Sequence, residues 1–560
     1  MDYKALHYTL KSNYRQALAP ITVFVDSMMP VQKRMRDILP SKEVCDKLVK
    51  TYIDTSEVIL RILHVPSFYE QYNRFWEGRL ESESFLPQLL AILSTASRFD
   101  TKSKGLGHER VEGVHLPTAC ALVRSWLDSL KGKQLTDFAN LQVELLLLHA
   151  QRMLTPRPHE LWTQLGYVVR LAMTMGLHRD PSEAEPRMSV FQGELRRRLW
   201  YTILDLDLHN SLSSNMPSTL REGDFTCRPP RNLDDAELFE GMTELPTSRP
   251  IDQITDNQMQ VHAATTLPTR LRVVHLVNRI DSLRDYQEVL EVGTKLDRYL
   301  EDINFIYPRQ GVMDDAQRSK MWRLRVILDM HVRRPLLALY RALALGAPDC
   351  PSQISRAYLR SCMVSLKYMD EIDPRLPHYA DISAMYHHIM KLDIIQCAYS
   401  VCYYIQSTTR PTSDSMLMGQ QAMRMSPEVV DGYPTYAPDS LQLWSHARLT
   451  STVQKTIELL ITHMSGSDTK EITSLIIAFE SVKRTESRQE DIVYALHGAL
   501  DSCLRATKLS LDQIHAGARG HMDTRFHSDG YMRTHTTTGN QPSKAAGDFA
   551  SWIMWDGWEE

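Results

Sequence analysis

Apolar residues recur at helical spacing along almost the whole chain. Clear examples, each with apolar residues at positions i, i+3, i+4 and i+7, are 139–154, 161–175, 474–484 and 491–509. The alternation of apolar and polar residues that is typical of strands is almost missing. The sequence therefore predicts an all-α fold, a helical bundle or array of roughly 15 to 20 helices with long irregular connections and a disordered C-terminal tail.

The charge balance limits the classes of partner. The chain has 560 residues, of which 43% are hydrophobic, enough for two or more domains with substantial cores. Its 64 Lys and Arg against 68 Asp and Glu give a formal net charge of -4. A dedicated nucleic-acid-binding domain usually has an isoelectric point above about 9. We therefore expect any DNA contact to be local or to lie outside this chain.

No targeting signal or membrane segment is recognisable in the sequence. The N-terminal stretch MDYKALHYTLKSNYRQ lacks the apolar core of a secretory signal. The longest apolar runs, such as LLLL at 145–148, are far shorter than the about 20 residues of a membrane span. The 8 cysteines contain no Cys-x-x-Cys pair and lack the density of a disulfide framework. These features predict a soluble intracellular protein that does not contact a membrane.

Two stretches interrupt the helical pattern. Residues 217–270 are rich in Pro, Thr and Asp, and we expect them to form a long, partly irregular surface connection. Residues 516–547 are rich in Gly, His, Thr and Ser, a composition that is typical of a flexible linker.

The region 161–217 carries clear start and stop signals for two helices. The first helix runs into Gly176, which suits the left-handed position after a helix end, and Leu177 can fold back as in a Schellman motif. Ser189 begins a Ser-x-x-Gln capping box. We therefore expect the second helix to span about 190–215.

Three consecutive arginines, Arg196, Arg197 and Arg198, lie within this second helix. Successive helical residues turn by about 100°, so the three side chains spread over about 200° instead of lining one phosphate-facing stripe. Glu194 precedes Arg198 by four residues, the favourable order for an ion pair, and Arg197 is within reach of a cation–π contact with Tyr201. We expect the arginines to hold neighbouring helices together. The alternative is a patch for nuclear import or DNA contact.

The same helix carries further apolar and acidic residues towards its end. Trp200, Leu204 and Leu208 form a second apolar line, which suggests that the helix is covered on more than one side. Asp205 and Asp207 are then expected to pair with basic groups from neighbouring helices.

The strings LWTQLGYVVRLAMTMGLHRDPS at 161–182 and FQGELRRRLWYTILDLDLHNSLSSNMPS at 191–218 resemble the fungal-specific transcription factor domain. This domain is the regulatory middle region of fungal zinc-cluster transcription factors. Residues 39–76 and the acidic strip DFTCRPPRNLDD at 224–235 are also similar to the family, and the resemblance covers 39–345. The family motif maps onto Gly176, Leu177, His178, Arg179, Glu194, Arg196, Arg197, Arg198, Trp200, Asp207 and Pro217.

The resemblance implies a regulatory domain at 39–345 and a set of partners. The body would integrate signals through a small-molecule effector or partner proteins, and it could form a homodimer or bind a zinc-cluster partner. The predicted segments are an N-terminal helical extension at 1–38, the regulatory domain at 39–345, a C-terminal helical part packed on it at 346–515, the linker at 516–547 and a tail at 548–560.

Two features depart from the family pattern. The usual Gly-Arg-Pro of the turn is Asn215, Met216 and Pro217 here. The family's DNA-binding module needs six cysteines beginning Cys-x2-Cys-x6-Cys to hold two Zn²⁺ ions, and this sequence has no such arrangement. We therefore expect no cofactor in this chain, and zinc only with an upstream six-cysteine cluster. DNA binding is expected from such a missing module or from a partner.

The last residues combine aromatic and acidic side chains. Phe549, Trp552, Trp555 and Trp558 stand among Asp and Glu residues in 548–560, without a basic residue. Acidic-aromatic segments of this composition behave as disordered activation tails whose aromatic rings bury on a coactivator. The alternative is that the tail docks onto its own helical body, and the two states could alternate as a switch.

Enzyme motifs are missing from the sequence. It contains no Gly-x-Ser-x-Gly elbow, no P-loop and no His-Glu-x-x-His pair. We therefore predict a protein that is not an enzyme, without catalytic residues or metal ligands. The leading hypothesis, by resemblance, is a nuclear transcription regulator controlling RNA polymerase II transcription. The alternatives are a DNA-independent co-regulator or adaptor and, more remotely, an all-helical enzyme.

Overall fold

The computed structural model describes 28–79, 82–97, 113–154, 158–183, 188–279, 286–308, 314–347, 350–375, 379–409, 444–463 and 469–483, with isolated positions between 5 and 12 and between 493 and 505. All of them belong to one compact unit within Met1–Arg519. The predicted linker at 516–547 lies outside the described residues, and so do the tail residues Phe549, Trp552, Trp555 and Trp558.

The described residues form α-helices and no strand, which confirms the predicted all-α fold. In chain order the helices are α1 Val31–Asp37, α2 Lys42–Tyr52, α3 Val65–Trp76, α4 Phe85–Ala96, α5 Leu116–Ser129, α6 Phe138–Leu154, α7 Pro158–Thr174, α8 Val190–Ser214, α9 Gln258–Val277, α10 Tyr286–Ile306, α11 Asp315–Gly346, α12 Ser352–Lys367, α13 Tyr379–Thr409, α14 His446–Thr462 and α15 Thr469–Lys483. None of the described helices is both long and apolar enough to cross a membrane.

Helix α2 continues beyond Tyr52 in an unusual form. It passes through a π-helical segment, Ile53–Glu57, and a last turn, Val58–Leu60, before Arg61 adopts a left-handed conformation with φ 33. A π-helical segment is rare and is frequently found at functional sites. This one buries Thr55, Ser56 and Glu57 and so brings polar groups into the interior.

A single large apolar core runs through the described helices. Helix α8 packs against α7 and α9, and α11 packs against α9, α10 and α12. Helix α13 packs against α12, α14 and α15. Trp200, Leu204 and Leu208 of α8 are all buried, as expected for a helix covered on several sides. The contact between α11 and α12 means that the helices on both sides of residue 346 share this core.

The local signals around α7 and α8 are confirmed. Gly176 has φ 76 and Leu177 N donates to Ala172 O at 3.0 Å, the hydrogen bond of a Schellman motif. Ser189 caps α8 by accepting from Gln192 N at 3.2 Å. The helix starts at Val190 and ends before a left-handed Asn215, so both boundaries agree with the prediction.

The connection predicted for 217–270 is shorter than expected. Irregular backbone ends at Asn257, and α9 begins at Gln258 in spite of Pro268 within it. Packing of α9 against α8 and α11 overrides the low helix propensity of this Thr- and Pro-containing stretch. Residues 217–257, the long connection, are also partly internal, because Asn232 is buried and its amide donates to Pro250 O at 2.8 Å and Gln253 O at 3.1 Å.

Candidate functional site

Asp235 of the long connection lies at the centre of a buried ion-pair network. Its Oδ1 accepts from Arg61 and, at 2.6 Å, from Arg198 Nη1, and its Oδ2 accepts from Val65 N at 3.2 Å. The side chains of Arg61 and Asp235 are each 4% exposed and that of Arg198 is 1% exposed. Burial opposes the charge, but the two guanidinium groups lower the pKa of Asp235 to about 2. The carboxylate is therefore ionised at neutral pH.

Glu194 extends the same network along α8. Its carboxylate lies 3.8 Å from Arg198 Nε and 3.5 Å from Arg197 Nη1, and Oε1 accepts from Arg231 N at 2.8 Å. Arg197 also binds both oxygens of Asp180, with Nε 3.0 Å from Oδ2 and Nη2 2.8 Å from Oδ1. Such bidentate pairs are among the strong hydrogen-bonded ion pairs of proteins.

The three arginines of α8 contact groups within the fold. Arg196 donates to Met175 O at the end of α7, and Arg197 and Arg198 bind the carboxylates described above. The expected ion pair between Glu194 and Arg198 is present, whereas the expected stacking of Arg197 on Tyr201 is not found among the described residues, because Asp180 holds the guanidinium. These contacts favour the expectation that the arginines hold neighbouring segments together.

The motif residues around the arginines occupy different environments. Leu177 and Trp200 are buried, and the ring of Trp200 lies 6.2 Å from that of His178 and 6.0 Å from that of Phe225. Arg179, by contrast, is exposed.

Asp207 has a different contact from the one predicted. It was expected to pair with a basic group, but its Oδ2 accepts from Thr219 N at 2.9 Å and from the Ser218 hydroxyl. Pro217 O, in the same turn, accepts from Trp162 Nε1 at 3.0 Å. Asp207 therefore fixes the turn that follows α8, whereas Asp205 does pair with a basic residue of α9, Arg270, at 2.8 Å.

A cavity of about 120 Å³, the polar cavity, lies where the π-helical segment meets α6, α7, α8, α11 and α13. Its polar and charged lining residues are Thr55, Ser56, His149, Arg152, Asp205, His209, Asn210, Ser213, His331, Arg334, Lys391 and Asp393. Ser213 is exposed and Leu392, another lining residue, is 40% exposed, so the cavity opens to the surface beside them.

One wall of the polar cavity is a charge cluster of Asp205, His209, His331 and Arg270. The donor atoms of the first three lie within 4.8 Å of one another, close enough for one metal ion to bind them all. However, Arg270 Nη1 lies 3.0 Å from His331 Nε2 and 3.4 Å from His209 Nε2. Because a guanidinium group stays charged, a cation already lies against these donors. We therefore assign the four residues to a charge cluster and not to a metal centre.

The histidines of the polar cavity are neutral at physiological pH. Burial lowers the pKa of His149 to about 3 and that of His331 to about 4, the latter in spite of Asp205. Burial, together with His331 and Arg270, also holds the pKa of His209 well below its usual range. Asp205 stays ionised, because Arg270 and His331 outweigh burial and lower its pKa to about 2.

Several buried polar atoms of the lining have no hydrogen-bond partner among the described residues. They are His149 Nδ1, His209 Nδ1, Asn210 Nδ2 and Asp205 Oδ1, the last of which lies within ion-pair distance of Arg270 and His331. His149 is 5% exposed and His209 is 4% exposed, so water reaches these rings poorly. An unpaired buried polar group costs about 1 to 3 kcal/mol, which favours a site that is completed by a bound molecule.

Arg152 adds a charge to the same lining. Arg334 Nε forms an ion pair with Asp393 Oδ2 at 2.7 Å, but Arg152 forms neither an ion pair nor a hydrogen bond with any described residue. Burial and the neighbouring Arg334 lower the pKa of Arg152 to about 10, against the opposing effect of Asp393. The guanidinium is therefore charged at neutral pH and lacks a direct counter-ion in the described part of the chain.

Sequence patterns did not identify the polar cavity. Its lining residues are spread from Thr55 to Asp393, and only their packing brings them together. The one local signal is the spacing of Asp205 and His209, which places both side chains on one face of α8.

The region that contains the ion-pair network is similar to a known protein domain. The profile of the fungal specific transcription factor domain matches residues 49–265, a shorter range than the predicted 39–345. "Transcription factor opdR" of Penicillium oxalicum is 36% identical over 348 residues, which cover 60% of this chain and 43% of that protein. "Transcription factor lepE" of Aspergillus flavus is 31% identical over 317 residues, 55% of this chain and 36% of that protein.

A third relative, "Zn(2)-C6 fungal-type transcription factor mpsB" of Macrophomina phaseolina, is 27% identical over 338 residues, 58% of this chain and 43% of that protein. The chain thus spans less than half the length of these curated relatives. No solved structure matches it. The motif around Arg196 to Arg198 and the ion-pair network therefore lie within 49–265, the region that matches the fungal specific transcription factor domain, and the chain is similar to transcription factors that are fungal proteins.

Proposed function

We propose that the chain is the regulatory body of a fungal transcription regulator that acts in the nucleus on RNA polymerase II transcription, and that the polar cavity receives a small-molecule effector. The matched domain and the printed names of the relatives support the regulatory role. The observation that carries the effector site is the set of buried polar atoms of His149, His209 and Asn210 around one cavity, which have no hydrogen-bond partner among the described residues.

The position of the polar cavity suggests how an effector would act. Elements from the π-helical segment to α13 contribute to its lining, so a bound molecule would contact helices that are far apart in the sequence. A ligand shifts a conformational equilibrium of a protein only if it binds one conformation more tightly than the other. We propose that the effector stabilises the arrangement in which α8, α11 and α13 enclose the cavity. The motif residues Glu194, Arg197 and Arg198 would support this arrangement by fixing α8.

A reporter assay tests the effector site. The full chain is fused to an unrelated DNA-binding domain, and reporter output is compared between the parent and a Ser213→Trp variant, in which an indole covers the cavity mouth. The matched control is Ser451→Trp, because Ser451 is an exposed serine of α14 with a similar local hydrogen bond, to Arg448 O. We expect Ser213→Trp alone to change the output several-fold. Equal output from all three proteins would exclude a regulatory role of the cavity.

We further propose that the tail at 548–560 is an activation segment that binds transcription coactivators. Its support is the acidic-aromatic composition, with Phe549 and three tryptophans among carboxylates. The test fuses 516–560 alone to the same DNA-binding domain. We expect activation that is lost when Trp552, Trp555 and Trp558 are replaced by Ala. An inactive wild-type segment would remove the activation role and favour docking of the tail on the body.

DNA contact is proposed to come from another module or from a zinc-cluster partner, with a homodimer as the other possible assembly. The pairing of Arg196, Arg197 and Arg198 within the fold supports this proposal, because it leaves them poorly placed for phosphates. A gel shift of this chain with duplex DNA tests whether the chain itself binds DNA. Phosphate-driven affinity would be present at about 50 mM salt and lost by about 200 mM. We expect no shift at either concentration, and a salt-sensitive shift would contradict the proposal.

A further inference from the structure

The charges around the polar cavity are unequally balanced. Arg152, Arg334 and Lys391 line it as cations, against the two carboxylates of Asp205 and Asp393. Both carboxylates are engaged by arginines: Asp205 by Arg270 at 2.8 Å and Asp393 by Arg334 at 2.7 Å. The charge of Arg152 therefore has no direct carboxylate contact within the described residues.

Some neutral groups of the lining that have no partner in the described part of the chain are hydrogen-bond donors. Arg270 Nη1 can only donate, so His209 Nε2, 3.4 Å away, accepts from it. A neutral imidazole carries one proton, which places the proton of His209 on Nδ1, the atom without a partner in the described structure. The Asn210 amide nitrogen is a second donor in the same condition. His209 Nδ1, the Asn210 amide and the Arg152 guanidinium are therefore donors without an acceptor among the described residues.

The start of α7 adds to the positive character of the lining. Pro158, the first residue of this helix, lines the polar cavity. The N-terminal end of a helix carries a partial positive charge and favours anions. This contribution has the same sign as that of Arg152, so the two features favour the same kind of ligand.

We propose that the polar cavity binds a small organic carboxylate, with Arg152 as the charged contact and with His209 Nδ1 and the Asn210 amide as neutral donors. This assignment rests on the proposed effector site and names its ligand class. The volume of about 120 Å³ limits the ligand, because a cavity of about 150 Å³ accommodates benzene. Short mono- and dicarboxylic acids are therefore of suitable size.

The binding test uses the purified full chain and defined probes. Acetate, malonate and succinate are titrated in a calorimeter, with malonamide as the uncharged match of malonate and inorganic phosphate as the alternative anion. We expect at least one carboxylate to bind with a Kd below about 1 mM, and malonamide not to bind. Arg152→Gln should weaken the carboxylate about 10-fold or more, as expected for the loss of a charge-assisted hydrogen bond. The control Arg170→Gln alters an exposed arginine of α7 and should leave the affinity unchanged.

A second variant covers the case in which Arg152→Gln does not fold. Asn210→Ala removes one neutral donor and leaves every charge in place, and we expect it to weaken the same carboxylate several-fold. Binding of phosphate but of no carboxylate, binding of malonamide as tightly as malonate, or no binding of any probe would each overturn the assignment. The reporter assay separates this failure from failure of the effector site, since a response to Ser213→Trp would then still support a ligand of another class.

Discussion

At the scale of single residues, Asp235 compensates two buried guanidinium groups at once. Arg61 and Arg198 come from different elements, and both donate to the same carboxylate oxygen. Removing one partner of a buried pair leaves an uncompensated charge and typically costs about 3 to 5 kcal/mol. The neighbouring Asp234 pairs with Arg249, but both of these side chains are about one third exposed, so solvent screens that pair.

These environments predict a large difference between two adjacent substitutions. Asp235→Ala should lower the free energy of unfolding by about 3 to 5 kcal/mol, because Arg61 and Arg198 stay buried without their carboxylate. Asp234→Ala should lower it by about 1 kcal/mol. Urea unfolding of both variants and the parent measures the difference. An equal decrease in the free energy of unfolding for both variants would show that burial does not determine how much the Asp235 ion pairs stabilise the protein.

At the scale of elements, two glycines within helices differ in what a methyl group would meet. A Cβ at Gly293 of α10 would collide with the ring and hydroxyl of Tyr340 on α11. A Cβ at Gly166 of α7 would meet only the far end of the flexible Arg170 side chain, at 3.2 Å. The close approach of α10 and α11 therefore depends on glycine, whereas the position in α7 does not.

We expect Gly293→Ala to destabilise the protein and Gly166→Ala to be neutral or stabilising. Alanine favours a helix over glycine by about 1 kcal/mol, which is the whole effect at Gly166. At Gly293 the shift of Tyr340 should outweigh this gain and cost about 1 to 3 kcal/mol. Thermal unfolding of both variants and the parent shows whether each substitution stabilises or destabilises the protein. A stabilised Gly293→Ala variant would mean that α10 and α11 separate easily.

The same elements show what a single sequence can predict. The ends of α7 and α8 were predictable because Gly176 and Ser189 act on backbone groups within a few residues. The partner of Arg198 was not, since Asp235 is 37 residues away and nothing local marks it. The polar cavity was missed for the same reason, as residues from α2 to α13 meet only in the packed chain. Long-range pairing of charges follows from packing, which periodicity does not encode.

At the scale of the whole molecule, buried titratable groups give stability a pH optimum. Burial lowers the pKa of His149 to about 3, and burial lowers those of His262, His331 and His387 to about 4. The unfolded chain binds protons at these histidines near pH 6.5 and the folded chain does not. Stability is therefore lost as pH falls from about 6.5 towards 4, by up to about 1.4 kcal/mol per group and pH unit.

Glu57 has the opposite effect on the alkaline side. Burial, opposed by Arg61, raises its pKa to about 8. The unfolded chain releases this proton near pH 4.5, while the folded chain keeps it up to about pH 8. Stability therefore falls as pH rises through this window, and above about pH 6.5 the four buried histidines no longer compensate. We expect the urea midpoint to be highest at about pH 6.5 to 7. Glu57→Gln should remove the decline between pH 7 and 8, and an unchanged decline would show that another group causes it.

The span of the Asp235 contacts decides how this domain can be divided experimentally. Arg61 and Asp235 are 174 residues apart, so a fragment that stops before the long connection retains two guanidinium groups whose common counter-ion has been removed. Trimming from the other end beyond Arg61 leaves the carboxylate with only Arg198. Deletion series that seek a minimal regulatory unit should therefore preserve 61–235 as one piece, and loss of function in shorter fragments reports misfolding before it reports a missing functional contact.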